Sequence, residues 1–156
     1  MDSLKFLPTD EEIITQYLCK KMDDSSFSAA AICEADLRRL DPRDGVFKQG
    51  EKREWFFFCS RAIEQRINIA TTYSGFWITT GKDTQIFKGE TLVGMKRSMV
   101  YYRGRAPTIT KTNWLMHEYS LERSYLSSLQ NEWVICKVFL ENKMEEISNH
   151  MAELKL

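Results

Sequence analysis

Tyr73-Ser74-Gly75-Phe76-Trp77-Ile78-Thr79-Thr80-Gly81-Lys82-Asp83 is the stretch whose reading decides the fold. Ser-Gly opens it as a turn signal, and Gly-Lys-Asp closes it. An aromatic and β-branched run bounded by glycines reads as a short strand with a tight exit. The threonine hydroxyls and the lysine at its end have the chemistry to bond phosphates or base edges. Local chemistry alone favours a plainer alternative, a sheet strand that packs Trp77 and leaves Thr79, Thr80 and Lys82 solvated.

Working outward, the same strand grammar recurs. Thr84 to Phe87 continues the strand and Lys88-Gly89-Glu90 reads as a turn. Gly94 to Arg103 is a second strand, ended by Gly104-Arg105-Ala106-Pro107; Thr112 to Leu121 is a third. Residues 122–131 read as a polar loop, and Glu132 to Phe139 as the last strand. Upstream, Glu54-Trp55-Phe56-Phe57-Phe58-Cys59 is a strand too apolar to face water on either side. Residues 60–72 carry no steady period and read as a loop. Ile32 to Leu40 gives a short strand or helical turn before Asp41-Pro42. Near the start, Pro8-Thr9-Asp10-Glu11-Glu12 signals a helix with a capping box from Thr9 to Glu12. Ile13, Ile14, Tyr17, Leu18 and Cys19 then form an apolar stripe at helical spacing. Leu4-Lys5-Phe6-Leu7 is a short extended piece, open to pairing with another chain. Several strands joined by short turns, with helix mainly at the start, predict an α+β fold: a twisted antiparallel β-sheet flanked by a few helices. Residues 4–140 form the domain. Residues 141–156 read as a short helical or disordered tail, in which Met144, Ile147, Met151 and Leu154 recur in a two-heptad pattern.

The 156 residues, 43% hydrophobic and 28% charged, suit one soluble globular domain with a real core. No apolar run approaches membrane-spanning length, and no secretory signal opens the sequence. Cys19, Cys33, Cys59 and Cys136 are far apart without a CxxC pair, which predicts reduced, buried thiols inside a cell. Net charge is zero, but residues 61–111 carry nine Lys and Arg against three Asp and Glu, while both flanks are acidic. Arg61, Arg66, Lys82, Lys88, Lys96, Arg97, Arg103, Arg105 and Lys111 thus surround Trp77, Tyr101 and Tyr102. A basic region interleaved with aromatics suggests a polyanion face; an ordinary solvated sheet surface stands beside it as the alternative.

No catalytic motif competes. His117-Glu118 has no second histidine four residues on, so HExxH is absent. Gly-x-x-x-x-Gly-Lys, Gly-x-Ser-x-Gly and Gly-x-Gly-x-x-Gly are absent as well. Asp10, Glu11 and Glu12 suit the positive end of a helix better than acid–base work. His117 reads as a strand histidine satisfied by its neighbours. The chain is expected not to be an enzyme and to need no cofactor or metal.

In order, these motifs resemble the NAC domain, the DNA-binding domain of a large family of plant transcription factors. Leu7-Pro8-Thr9-Asp10-Glu11-Glu12-Ile13 resembles the family's first block and Ile32 to Pro42 its second. Glu54 to Arg61 with Tyr73 to Asp83 resembles the third, whose core usually reads Gly-Tyr-Trp-Lys-Ala-Thr-Gly-Lys-Asp. Val100 to Pro107 with Lys111 to Tyr119 is close to the fourth, and Glu132 to Phe139 to the fifth. The likeness implies a nuclear, sequence-specific transcription regulator that binds double-stranded DNA as a homodimer or as a heterodimer with other NAC-domain proteins. It implies dimerisation through Leu4, Lys5, Phe6 and Leu7, with a cross-dimer ion pair between Lys5 and Glu12. Lys5 stands where the family usually has arginine, so that pair loses the bidentate fork. The likeness also implies that the strand edge of Trp77, Ile78, Thr79, Thr80 and Lys82 enters the major groove, with Arg66, Arg105 and Lys111 at phosphates.

Three positions depart from the family pattern. The groove lysine after Trp77 is Ile78, one arginine of the preceding loop falls on Ile69, and a lysine after Ala106-Pro107 is Thr108. Each lost phosphate contact removes close to one released counterion, and a lost base contact costs about 1–3 kcal/mol. These losses motivate an alternative: a dimerisation module with weakened DNA binding that sequesters family members. Target sequence, target genes and sign of regulation are not encoded legibly.

Overall fold

The computed structural model describes residues 5–48, 52–62, 68–126, 129 and 131–141. Seven strands form one sheet: β1 (Ile32–Glu34), β2 (Glu54–Ala62), β3 (Ile69–Thr71), β4 (Gly75–Lys88), β5 (Thr91–Arg105), β6 (Thr108–Leu121) and β7 (Asn131–Leu140). Their order across the sheet is β1-β2-β7-β6-β5-β4-β3. The fold is α+β, as the strand pattern predicts, with one difference. β1 runs parallel to β2, so the sheet is mixed rather than wholly antiparallel. Parallel neighbours need a crossover of a dozen or more residues, and residues 35–53 supply it. Residues 60–72, read as loop, are partly strand: β2 runs on to Ala62, and β3 pairs with β4 through Ile69, Ala70 and Thr71.

Strand alternation sorts the core into two layers. Trp55, Phe57, Cys59, Trp77, Met99, Tyr101, Met116, Val134, Cys136 and Val138 pack together on one face, under the crossover residues Leu40 and Phe47. Phe56, Phe58, Tyr119 and Ile135 point to the other face. There α1 (Asp10–Glu12), a π-helical stretch (Ile13–Leu18) and α2 (Cys19–Asp23) follow one another and lay Ile13, Ile14 and Leu18 onto the sheet. The predicted capping box is present: Thr9 N–H donates to Glu12 Oε1 at 3.0 Å and Glu12 N–H to Thr9 Oγ1 at 3.1 Å. Cys59 and Cys136 are buried, but Cys33, on the outermost strand β1, is exposed.

Asp10 does more than complement a helix end. It accepts Tyr119 Oη–H at 2.8 Å and Lys96 Nζ–H at 2.9 Å, which ties the helix start to β5 and β6. Burial alone would raise its carboxyl; the two donors and the Lys96 charge hold it below its ordinary value instead. His117, on the same sheet face, packs its ring on Phe139 at 4.9 Å. Burial, with Lys96 and Lys137 nearby, pulls its imidazole down to about 4. An unfolded chain would protonate this histidine near 6.5. The unfolded state therefore binds more protons between those values, and stability falls as pH drops from 6.5 to 4. A His117→Gln variant should show a flatter unfolding midpoint across that window; an unchanged slope would remove His117 from the account.

Candidate nucleic-acid interface

The decisive stretch is delivered by a polar clamp. Asp41 Oδ2 accepts the Ser74 backbone N–H at 2.6 Å and Thr72 Oγ1–H at 3.0 Å, while Ser74 Oγ–H reaches Asp41 Oδ1 at 2.7 Å. The Tyr101 hydroxyl joins them, 2.6 Å from Thr72 Oγ1. Burial alone would raise the Asp41 carboxyl, but these donors and the Arg43 backbone N–H hold it below its ordinary value. The turn from Thr72 to Ser74 is thereby fixed before β4 begins. Gly75 follows where a side chain has no room: a Cβ there would lie 2.0 Å from the Tyr102 carbonyl oxygen.

Trp77 then enters the core, 0% exposed, and its indole N–H donates to the Leu40 carbonyl at 2.8 Å. It was expected at the interface with Ile78 and Thr79, and this placement corrects that. A fully buried indole cannot touch a groove, so its part is to anchor the strand. Beyond it the strand turns outward. Ile78 and Thr79 are half-buried; Thr80, Gly81, Lys82 and Asp83 are exposed. β3 pairs only with Phe76, Trp77 and Ile78. From Thr80 onward β4 pairs on one side alone among the described residues, and this β3-side edge is the one called free below. Thr80 pairs with Ser98 and Thr84 with Lys96, which leaves Gly81, Lys82 and Asp83 opposite Arg97 alone. Gly81 takes up this bulge with φ of 66°, a conformation other residues reach only with strain.

Not all of the basic third faces solvent freely. Arg61 lies between two buried carboxylates, with Nη1–H to Glu118 Oε1 at 2.5 Å and Nε–H to Glu132 Oε1 at 2.9 Å. Lys96 is held by Asp10, and Arg97 Nε–H points to Asp83 Oδ1 at 3.4 Å. Arg105 is exposed, but its guanidinium donates to the Thr72 carbonyl at 2.9 Å and to the Tyr73 carbonyl at 3.4 Å. Among the described residues Lys82, Lys88, Arg103 and Lys111 are exposed cations with no ion pair. Arg66 lies outside the described residues.

Register places these groups. Lys111 is opposite Tyr102, and Tyr102 opposite Phe76, with the two aromatic rings stacked at 5.5 Å. Lys111, Phe76, Ile78 and Thr80 therefore project from one face of the sheet. Thr80 and Lys82 lie at the free edge, while Thr79, half-buried, donates its backbone N–H to the Asn68 carbonyl at 2.9 Å just before it. On the β5–β6 hairpin, Lys111 sits about 13 Å down the strand, by the four residues from Phe76 to Thr80, and Arg105 lies three residues farther, about 23 Å from Thr80. Two of the three departures from the family pattern are direct cross-strand partners: Ile69 faces Ile78. Where two basic side chains would repel, this chain has an apolar pair, a signal that only the pairing of β3 with β4 makes visible. Thr108 is exposed on the same hairpin as Arg105.

At the other end of the chain, Lys5 and Leu7 are exposed, Leu7 at 71%. Phe6 is turned inward, its ring 4.8 Å from Phe56 and 5.3 Å from Tyr17. It therefore serves this chain's own core. Glu12 is engaged by Thr9, whose donors hold its carboxyl below the ordinary range. Leu4 lies outside the described residues.

The No apical meristem (NAM) protein family model matches residues 1–121, so the chain belongs to the NAM, or NAC-domain, family, a family of plant transcription factors. It is 50% identical over 145 residues to NAC domain-containing protein 92 of Arabidopsis thaliana, covering 86% of this chain and 50% of that protein. NAC domain-containing protein 87 of the same plant is 47% identical over 161 residues, covering 96% of this chain and 48% of that protein. Protein CUP-SHAPED COTYLEDON 1, also of Arabidopsis thaliana, is 45% identical over 150 residues, covering 88% and 48%. The chain spans about half the length of these curated relatives.

Proposed function

We propose that this chain binds double-stranded DNA as a dimer in the nucleus and regulates transcription, inserting the free edge of β4 into the major groove. The observation that carries this reading is the glycine-kinked edge that offers Thr80 and Lys82, with Lys111 exposed on the same sheet face as Thr80. Thr79, Thr80 and Lys82 would meet base edges; Lys111, Arg105 and Arg66 would meet phosphates. Ile78 stands beside Thr79 and is suited to a thymine methyl group. Arg105 has a second task, because its guanidinium also holds the turn before β4. The dimer would form through Leu4, Lys5 and Leu7, with Glu12 as the acidic partner of Lys5. An exposed Lys–Glu pair contributes little, because solvent screens it. With Phe6 packed inward, apolar contact from Leu4 and Leu7 would have to hold the two copies together. A titration of DNA affinity against salt tests the reading: affinity should fall steeply as salt rises, and salt-insensitive binding would overturn it.

One observation favours a second reading, a dimerisation module that sequesters family members. The Ile69–Ile78 pair and the engagement of Arg61, Lys96 and Arg97 leave few cations to meet phosphate. Adding this chain to a DNA-bound relative discriminates the two. Loss of DNA retention supports sequestration, and unchanged retention excludes it.

A further inference from the structure

With the tail, 142–156, outside the described residues, the most exposed large apolar side chain of the described chain is Tyr73, at 92%. Neither its ring nor its hydroxyl has a hydrogen-bond or ring partner among the described residues. Its backbone, by contrast, is tied down on both sides. The Thr72 N–H donates to the Gly75 carbonyl at 2.9 Å, and the Gly104 N–H donates to the Ser74 carbonyl at 2.8 Å. The Ser74 N–H is held by Asp41 at 2.6 Å, and the Arg105 guanidinium reaches the Tyr73 carbonyl itself at 3.4 Å. A fixed turn thus holds an aromatic side chain out into solvent. Only two side-chain torsions are left to order, so a partner engages it at a small entropy cost.

The surroundings select the partner. The turn abuts the tip of the β5–β6 hairpin, where residues 100–112 carry Arg103, Arg105 and Lys111 and no acidic residue. All three cations are exposed. Asp41, the acid of the turn, lies beneath it at 7% exposure with both oxygens taken by Thr72 and Ser74. A tyrosine hydroxyl among cations is a neutral donor suited to a phosphate oxygen. Thr108, where the family pattern has lysine, is the register partner of Arg105, and Tyr73 meets Arg105 from the other side. We propose that Tyr73 is a DNA-backbone contact of this chain, its hydroxyl donating to a phosphate next to the one Arg105 meets. This contact rests on the nucleic-acid reading above and extends it. Seven residues separate Tyr73 from Thr80, about 23 Å of strand. Tyr73 therefore meets the duplex outside the bases read at the β4 edge, and adds affinity without reading sequence.

Duplex binding by the whole chain across a salt series tests it, with Lys82→Gln measured alongside. Tyr73→Phe removes only the hydroxyl and should weaken binding about 10-fold. The slope of log affinity against log salt should not change, because a neutral donor releases no counterion. Tyr73→Lys should recover the affinity and steepen the slope by about one per subunit. Both variants should unfold at the parent's midpoint, since the side chain packs on nothing. Tyr73→Phe binding as tightly as the parent overturns the proposal, and so does an unchanged slope for Tyr73→Lys. If either occurs while Lys82→Gln still weakens binding, the β4-edge reading stands without this contact. If Tyr73→Phe weakens binding and Lys82→Gln does not, the contact stands and the edge reading falls.

Discussion

Trp77→Ala should lower the unfolding free energy by about 3–5 kcal/mol, a large share of the 5–15 kcal/mol available to a domain. The indole is wholly buried, packs on Tyr101 at 4.9 Å between ring centres and donates to the Leu40 carbonyl. Truncation opens a cavity and leaves that carbonyl without its partner. For a chain of this length the midpoint should fall by roughly 10 °C. Trp77→Phe keeps most of the apolar area and loses the hydrogen bond, so it should cost only about 1–2 kcal/mol. Thermal unfolding of both variants is the check. A Trp77→Ala protein as stable as the parent would mean that the strand is not anchored through this residue. The effect also reaches function, because the same anchor sets where Thr79, Thr80 and Lys82 emerge.

Arg61→Met is expected to cost a similar amount, about 3–5 kcal/mol, for a different reason. Glu118 and Glu132 are nearly inaccessible, and the one guanidinium binds both. Burial works against the charge on Arg61, but the two carboxylates outweigh it and push its pKa above the ordinary value. Methionine fills the space and takes the guanidinium away from the buried Glu118 carboxylate. The double variant Arg61→Met, Glu118→Gln removes that stranded charge and should recover at least ~1 kcal/mol. Chemical denaturation of the single and double variants reads this directly. If the single variant loses under 1 kcal/mol, the triad is solvated in solution and contributes little.

The two predictions rest on residues that differ in how legible they were. The sheet, the capping box at Thr9 and Glu12, and the turns at Gly89 and Gly104 follow from local signals: alternation, a hydroxyl three residues before a glutamate, a glycine where φ is positive. The edge of β4 was legible as a strand, and Thr80 and Lys82 are exposed as expected. What was not legible is long-range. Arg61 reads as one more cation in a basic stretch, and only the pairing of β2 with β7 sets it beside Glu132. Trp77 sits between candidate contact residues in sequence, and only the crossover carrying Leu40 shows that its side of the strand is roofed. Phe6 looked free to join a second copy because the sequence does not say that Phe56 and Tyr17 come to meet it. Asp41 closes the turn before β4 across 33 residues, and no short-range pattern announces it. Lys21 was also hidden. It is buried, with Nζ–H donated to the Phe27 carbonyl at 2.8 Å and the ammonium over the Trp133 ring at 4.6 Å.

The central claim is that the free edge of β4 is the surface that meets DNA. The most direct measurement is the salt dependence of duplex binding for the unaltered chain, Lys82→Gln and Ile78→Lys. If the edge lies in the groove, Lys82→Gln weakens binding and reduces the slope of log affinity against log salt by about one per subunit. Ile78→Lys, which restores a cation beside Ile69, strengthens binding and steepens the slope by a similar amount. Equal slopes for all three proteins would place the DNA elsewhere on the molecule and contradict the account.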